Sequence, residues 1–398
     1  MDIPFEPAVF YKEVLEANQI TSAFGVPDSS ISGLLSFFSA TKSAPQHIVT
    51  ANEGAAVALS AGYYLSTGKL ALAYMQNSGL SNALNPLQSL AAKEVYGIPM
   101  VLLIGWRGKP GIPDEPQHAL IGPCLLDILA ANRISYREIP NNIADAKETI
   151  RQLIEIAVKT QSPVALVVPP KAFREYTGSS KTTVQNPVTP RVVGNLNGRL
   201  CSETGFPLTR EAAIRCILEQ ISRNDKTVSS VGGNSRELYM VRKERRESFR
   251  NSFLCIGAMG HTYALAYAVA TAHSQGRVFC IDGDGSFIMH AGNNAVLAGV
   301  SPQNLIHVII YNGMHSSTGS QPLMLSKHHL LRLADGLPYE QKFVVQTEDT
   351  LKDAIRTATK SAIIIVGVNA GMRKDLPRPT ESPGELKKEF VGLFTARL

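Results

Sequence analysis

Two apolar runs, each stopped by a polar turn and joined by a stretch suited to a helix, constrain this chain most. Val278 to Ile281 reads as a buried strand ending at Asp282-Gly283-Asp284-Gly285-Ser286. A helix-compatible stretch with Ala291, Ala295, Leu297 and Ala298 follows, and a second run from Leu305 to Tyr311 ends in Asn312. Strand, helix, strand is the repeating unit of a parallel sheet covered on both faces. It puts Asp284 and Asn312 at the C-terminal ends of two strands, the edge where open α/β sheets bind ligands. A carboxylate and an amide oxygen so placed suit a small hard cation that shares its shell with phosphate oxygens, and the carbonyl of Met314 offers a third protein ligand. Gly283 and Gly285 lack a Cβ and let the backbone close on an anion, with N–H groups of the turn and of the helix start at Ser286 available to it. Asp-Gly-Asp-Gly alone also reads as a plain surface turn; the Asn at the end of the next strand weighs against that.

The same alternation runs through the rest of the chain. The spacing predicts a helix from Pro7 to Asn18 and strands over Ser22–Val26, Leu70–Met75, Met100–Ile104 and Val164–Val168. From Tyr176 to Gly198 the sequence is polar, carries Gly and Pro, and has no clear period, as a linker does. A new helix start at Thr209-Arg210-Glu211 opens a second alternation. The expected architecture is α/β, with two doubly wound parallel-sheet domains over residues 1–178 and 206–398, a linker over 179–205, and no middle domain. A length of 398 residues is comfortable for two such cores.

Composition narrows the function classes. With 44% hydrophobic and 18% charged residues the chain reads as soluble and globular. The net charge of +6 suits an anionic substrate, and the densest run, Arg242-Lys243-Glu244-Arg245-Arg246-Glu247, interleaves acids like a solvated helix face rather than a nucleic-acid patch. No run approaches the roughly 18 apolar residues that span a membrane. The N-terminus lacks a secretory signal, and the five cysteines form no C-x-x-C pair, so a cytoplasmic protein with reduced thiols is expected.

Further motifs carry polar groups to the predicted strand ends. Glu53 stands between an apolar segment and an Ala-rich stretch reaching Tyr63, where desolvation favours a neutral, proton-donating carboxyl; a helix N-terminal charge is the plainer reading. Leu254 to Thr262, with Gly257 and Met259, precedes another Ala-rich helix. The loop from Trp106 to His118 holds Arg107, Gln117, His118 and three prolines, a composition that stiffens it. His315 to Pro322 directly follows the candidate cation site. Gly232-Gly233-Asn234-Ser235 follows a strand near Val228, and Gly25 to Ser30 closes the first strand, with Asp28 or Ser29 as functional candidates and an N-cap by Ser29 or Ser30 as the alternative.

Gly283-Asp284-Gly285 followed about two dozen residues later by Asn312 resembles the signature of thiamin diphosphate enzymes. The loop Arg107 to His118, the run His315 to Pro322, Ser235 to Leu238 and Arg373 to Pro379 are similar to the phosphonopyruvate decarboxylases, a short 2-keto acid decarboxylase subfamily without a middle domain. The resemblance implies Mg²⁺ on Asp284, Asn312 and Met314, with the diphosphate near Gly232, Asn234, Ser235, Gly283, Gly285 and Ser286. It also implies Met259 as a wedge beneath the cofactor, the Gly257 carbonyl and the Glu53 carboxyl on the aminopyrimidine, and Asp28 or Ser29 over the reactive ring. His118 and His315 are then the proton-transfer groups, and Arg107, Gln117 and His118 the substrate contacts. The implied activity is decarboxylation of 3-phosphonopyruvate to phosphonoacetaldehyde in phosphonate biosynthesis. The implied assembly is a homodimer or larger with active sites between subunits, and no nucleic acid or membrane is expected as partner. Sulfopyruvate decarboxylase differs only in the anionic head group and stays open. A carboligase would need a middle domain, and a non-catalytic binder would not need Glu53. Two positions depart from the subfamily pattern: Tyr311 replaces the first Asn of an Asn-Asn pair, and Ser320 stands where Gly is expected.

Overall fold

The computed structural model describes residues 4–41, 46–177, 196, 200, 205–371, 373 and 375–395. The predicted linker lies outside them except at 196, 200 and 205. The chain divides into two compact units, Met1–Asn186 and Pro187–Leu398.

Six strands build the sheet of the first unit: β1 Ser22–Gly25, β2 Gln46–Val49, β3 Leu72–Gln76, β4 Val101–Gly105, β5 Ser135–Glu138 and β6 Val164–Val168. All pair in parallel, in the order β2-β1-β3-β4-β6-β5. The central strands β3, β4 and β6 are apolar because both faces are covered, whereas edge strands β2 and β5 are largely exposed and polar. The chain order reverses between β1 and β3, so polar turns after both strands face one crevice. The N-terminal segment differs from the single helix expected over Pro7–Asn18. It runs as an α-turn Pro7–Phe10, a wider π-turn Tyr11–Leu15 and a tighter 3₁₀ turn Glu16–Asn18. Phe10, Tyr11, Val14 and Leu15 are all buried, and the wider turn brings these closely spaced residues onto one face.

The second unit repeats the plan with β7 Lys226–Ser229, β8 Ser252–Leu254, β9 Val278–Gly283, β10 Leu305–Tyr311, a two-stranded β11 Met314–His315 and β12 Gln321–Pro322, then β13 Gln341–Val345 and β14 Ala362–Gly367. Its main sheet is parallel throughout, in the order β13-β14-β10-β9-β7-β8, and reverses between β7 and β9. The helix Arg210–Gln220 starts where the sequence places it, with the Thr209 side chain accepting from the Ala212 N–H. The helical stretch after Asp284 breaks at His290 into Asp284–Met289 and Ala291–Gly299. Among the described residues no helix is long and apolar enough to cross a membrane.

Candidate active site

In the second unit the reversal point of the sheet is flanked by the turns after β7 and β9. The Asp284 carboxylate, 4% exposed, is held from two directions. Its Oδ1 accepts from the Gly285 N–H at 2.7 Å, and its Oδ2 accepts from the N–H groups of Asn312 at 3.0 Å and Gly313 at 2.7 Å, just past the end of β10. Burial pushes the Asp284 carboxyl up from its ordinary value, and the three backbone donors pull it back toward the charged form. The Asn312 side chain is oriented too. Its Nδ2 donates to Ser316 Oγ at 2.8 Å and its Oδ1 accepts from the Met314 N–H at 3.1 Å. The donor set is hard oxygen, and a carboxylate with an amide oxygen and a main-chain carbonyl leaves room for phosphate and water ligands, as Mg²⁺ requires.

The other predicted residues of this unit gather around that centre. Gly232 turns the chain at φ 94° ahead of the helix Gly233–Glu244. A Cβ on Gly232 would meet Ser317 Oγ at 3.5 Å, and one on Gly283 would meet Asn234 Nδ2 at 3.5 Å, so the loop after β10 and the turns after β7 and β9 converge. Gly285 is crowded more tightly: a Cβ there would lie 2.7 Å from His315 Cε1 and 3.5 Å from Met259 Cε. His315 therefore packs over Gly285, with Met259 beside it and Gly257 half-buried in the preceding turn. The hydroxyls of Ser235 and Ser286 bond to the backbone around that centre. Ser235 Oγ lies 2.8 Å from the Ser230 carbonyl and 2.9 Å from the Cys255 carbonyl, its single proton shared between them, which ties the ends of β7 and β8 together. Ser286 Oγ accepts from the Gly260 N–H at 3.1 Å and so braces the Met259 loop.

A buried brace under this turn was not legible in the sequence. Cys280, Asp282 and His307 bring metal-capable atoms within 4.8 Å of one another on β9 and β10. Here His307 Nδ1 meets Tyr339 OH at 2.8 Å, its Nε2 faces Asp282 Oδ2 at 3.5 Å, and its ring stacks on Tyr263 at 4.4 Å. The group lies on the strand that leads into Asp284 and on its neighbour β10.

In the first unit the predicted residues also collect at C-terminal strand ends. Glu53 opens the helix Glu53–Thr67 behind Asn52, whose side chain caps it by accepting from the Gly54 N–H at 2.8 Å. The Glu53 carboxylate is half-buried; its Oε2 accepts from the Asn82 amide at 2.9 Å, and a Cβ on Gly79 would drive into it, so a larger residue at 79 would have to displace the Glu53 side chain. Asp28 itself caps the turn Ser29–Ile31, in place of the Ser29 or Ser30 cap considered from sequence. Its Oδ2 accepts from the Ser30 N–H at 3.1 Å and its Oδ1 from the Gln76 amide at 2.8 Å. That carboxylate braces the end of β1 rather than pointing free.

The Arg107–His118 loop folds on itself. Arg107 Nε donates to Asp114 Oδ2 at 2.8 Å, its Nη2 pairs with Asp114 Oδ1, and its Nη1 reaches Ser29 Oγ at 2.8 Å. The guanidinium holds the Asp114 carboxyl well below its usual range. The fork that the sequence offers to substrate is thus engaged within the loop. His118 is 6% exposed, and its Nδ1 has no partner among the described residues, while Gln117 is exposed. Asn77, absent from the sequence reading, is fully buried and ties β3 to the loop: its Nδ2 donates to the Arg107 carbonyl at 2.8 Å and its Oδ1 accepts from the Arg107 N–H at 3.1 Å. Asn77 and Asn82 follow β3 at the same edge as Glu53. The Gln76-Asn77-Ser78-Gly79 turn was the signal that could have found them.

Comparison with known proteins bears on both units. Residues 10–128 match the N-terminal TPP binding domain of thiamine pyrophosphate enzymes, and residues 230–366 match the C-terminal TPP binding domain. A phosphonopyruvate decarboxylase of Streptomyces viridochromogenes is 30% identical over 94% of this chain and 92% of its own length. A sulfopyruvate decarboxylase of Methanosarcina acetivorans is 27% identical over 95% of each. The solved benzoylformate decarboxylase of Polynucleobacter necessarius superposes over 93% of this chain with a TM-score of 0.69 at 14% identity, a likeness of fold. The two matched domains and the near full-length relatives make this chain a thiamine pyrophosphate-dependent decarboxylase that belongs to the phosphonopyruvate decarboxylase family.

Proposed function

We propose that the chain decarboxylates 3-phosphonopyruvate, releasing CO₂ and phosphonoacetaldehyde for phosphonate biosynthesis, with thiamin diphosphate and Mg²⁺. The observation that carries this reading is the Asp284 carboxylate, fixed by backbone donors from the end of the neighbouring strand and set beside the Asn312 amide. Asp284, Asn312 Oδ1 and the Met314 carbonyl hold the cation; Gly232, Asn234 and Gly283 line the place of the diphosphate; Met259 and the Gly257 carbonyl meet the rings. Bound there, thiamin diphosphate supplies a carbon nucleophile and a sink for the electron pair that CO₂ leaves behind.

The chain's own part is orientation and protons. Glu53, held by Asn82, is the carboxyl for the aminopyrimidine. His118, with an unpartnered Nδ1, and His315, packed over Gly285, move protons, and Gln117 adds a polar contact. Arg107 grips the anionic head of the substrate by exchanging Asp114 for it, since a guanidinium matches a phosphonate as well as a carboxylate. Ser29 moves with Arg107, and Asp28 fixes the turn beneath them. The assembly is a homodimer or larger with active sites shared between subunits, following the family organisation. The thiols of Cys124, Cys216, Cys255 and Cys280 are free, which supports a reducing, cytoplasmic setting.

Sulfopyruvate is the second reading, favoured by the Methanosarcina acetivorans relative. Release of CO₂ from 3-phosphonopyruvate, sulfopyruvate and pyruvate, measured side by side with thiamin diphosphate and Mg²⁺, separates them. The expected order puts phosphonopyruvate first by kcat/KM, with no turnover after the metal is chelated. Preference for sulfopyruvate would transfer the assignment, and turnover that survives chelation would remove the Asp284–Asn312 cation.

A further inference from the structure

At the opposite edge of the second unit's sheet, by the N-terminal ends of β7 and β8, a cavity of about 320 Å³ opens between the helices Arg210–Gln220 and Gly233–Glu244 and the segment 247–251. Among the described residues four arginines line it, Arg223, Arg242, Arg245 and Arg250, with a single carboxylate, Glu247. The size lies at the lower end of the range of small-molecule sites, roughly 300–1,000 Å³.

The charges are arranged rather than merely crowded. Arg242 is 7% exposed; its Nε donates to Ser252 Oγ at 2.6 Å and its Nη1 to Glu247 Oε2 at 2.7 Å, while Nη2 has no partner among the described residues. The other oxygen of Glu247 accepts from Arg245 Nε at 2.7 Å, so one carboxylate is shared between two guanidinium groups. The guanidinium groups of Arg223 and Arg250 are exposed and have no acidic partner among the described residues. A chain reversal presents these groups together. Arg246 sits at φ 54°, the Glu247 N–H donates to the Arg242 carbonyl at 2.9 Å and the Arg246 N–H to the Lys243 carbonyl at 3.0 Å, a Schellman stop with arginine in the left-handed position where glycine is usual. The helix dipole alone would account for Arg242 and Arg245 at the end of their helix. It does not account for Arg223 and Arg250, which come from other segments. Burial lowers the Arg242 guanidinium from its ordinary value, with Arg245 adding to the shift and Glu247 opposing it.

We propose that this cavity binds a small tetrahedral dianion, a phosphate or phosphonate head group, with Arg242 as its floor and Arg223 and Arg250 closing over it. Guanidinium groups suit such oxyanions because two parallel N–H donors match two oxygens. The helix Gly233–Glu244 joins the two places: it begins at the Gly232 turn and ends at this cavity. Free phosphate, a phosphonate metabolite and a mononucleotide share the head group.

The test is isothermal titration calorimetry on the holoenzyme saturated with thiamin diphosphate and Mg²⁺, at constant ionic strength. Inorganic phosphate, methylphosphonate and AMP are titrated into the wild type and into the double variant Arg223→Ala/Arg250→Ala. At least one anion is expected to bind the wild type with a sub-millimolar Kd and the variant about tenfold more weakly, with kcat unchanged; the tightest of the three names the source. No sub-millimolar binding in the wild type, or a loss of less than threefold in the variant, overturns the proposal. Any phosphate held at the catalytic centre is common to both proteins and cancels.

Discussion

Gly285 is the residue whose replacement reads most directly on the chemistry. A methyl group there would stand 2.7 Å from His315 Cε1 and 3.0 Å from its Nδ1, closer than a Cβ tolerates, and the imidazole must swing away. Gly285→Ala is therefore expected to fold normally and to lose at least about tenfold in kcat, since displacing His315 from the proton transfer proposed for it forfeits a factor of about 10²–10⁴ at most. Steady-state kinetics with a thermal melt as control checks this; full turnover in the variant would dismiss His315 from proton transfer. At the same scale lies the clearest limit of sequence reading. Asp284, Asn312 and Glu53 were legible because their spacing from apolar runs fixes them to strand ends. The bonding partners of Asp28, Arg107 and Ser235 were not, because those bonds go to Gln76, Asp114 and the Cys255 carbonyl, groups that only tertiary folding brings within reach.

Among the elements, the small hairpin of β11 and β12 explains a departure from the family pattern. Ser320 sits at φ 62° directly before β12, beside Gly319 at φ 118°. A side chain in the left-handed region costs about 1–2 kcal/mol, and glycine avoids it. Ser320→Gly should therefore raise the unfolding free energy by up to about 1 kcal/mol in urea titrations, against the usual loss of about 0.5–1 kcal/mol for glycine in a regular element. A loss of that size would mean that Ser320 does not occupy the left-handed region in solution. The regular elements were legible in proportion to their burial. Central strands β6 and β10 fall where the apolar runs end, and β1, β3 and β4 differ by one or two residues. The edge strands β2 and β5, with exposed polar positions, left no apolar signature to read. The N-terminal helix was legible as helical but not in its pitch, which the packing of Phe10, Tyr11, Val14 and Leu15 decides.

For the molecule as a whole, the division into two α/β units follows from the repeated alternation of runs, while the bracing residues Asn77 and Asn82 carry no local pattern and emerge only from the assembled sheet. Global stability carries one buried acid in its pH dependence. Glu237, 2% exposed, has Arg210 at 3.7 Å and a second carboxylate oxygen without a partner among the described residues. Burial pushes its carboxyl up from 4.5 to about 7. A raised acid keeps its proton in the folded state where the unfolded chain has released it, so its contribution to stability falls as pH rises from about 4.5 to about 7, with a slope of at most about 1.4 kcal/mol per pH unit. Denaturation midpoints from pH 5 to 8 should show Glu237→Gln losing this descent; parallel profiles for both proteins would refute the raised carboxyl. The grip on Asp284 also has a consequence in time. Two of its three donors stand 28 and 29 residues farther along, at Asn312 and Gly313. A nascent chain that has only just made the acidic turn holds this carboxylate by the Gly285 N–H alone, and its Oδ2 has no donor until β10 has docked beside β9. With the cation seated there as proposed, coenzyme loading becomes a report that this half of the protein has finished folding.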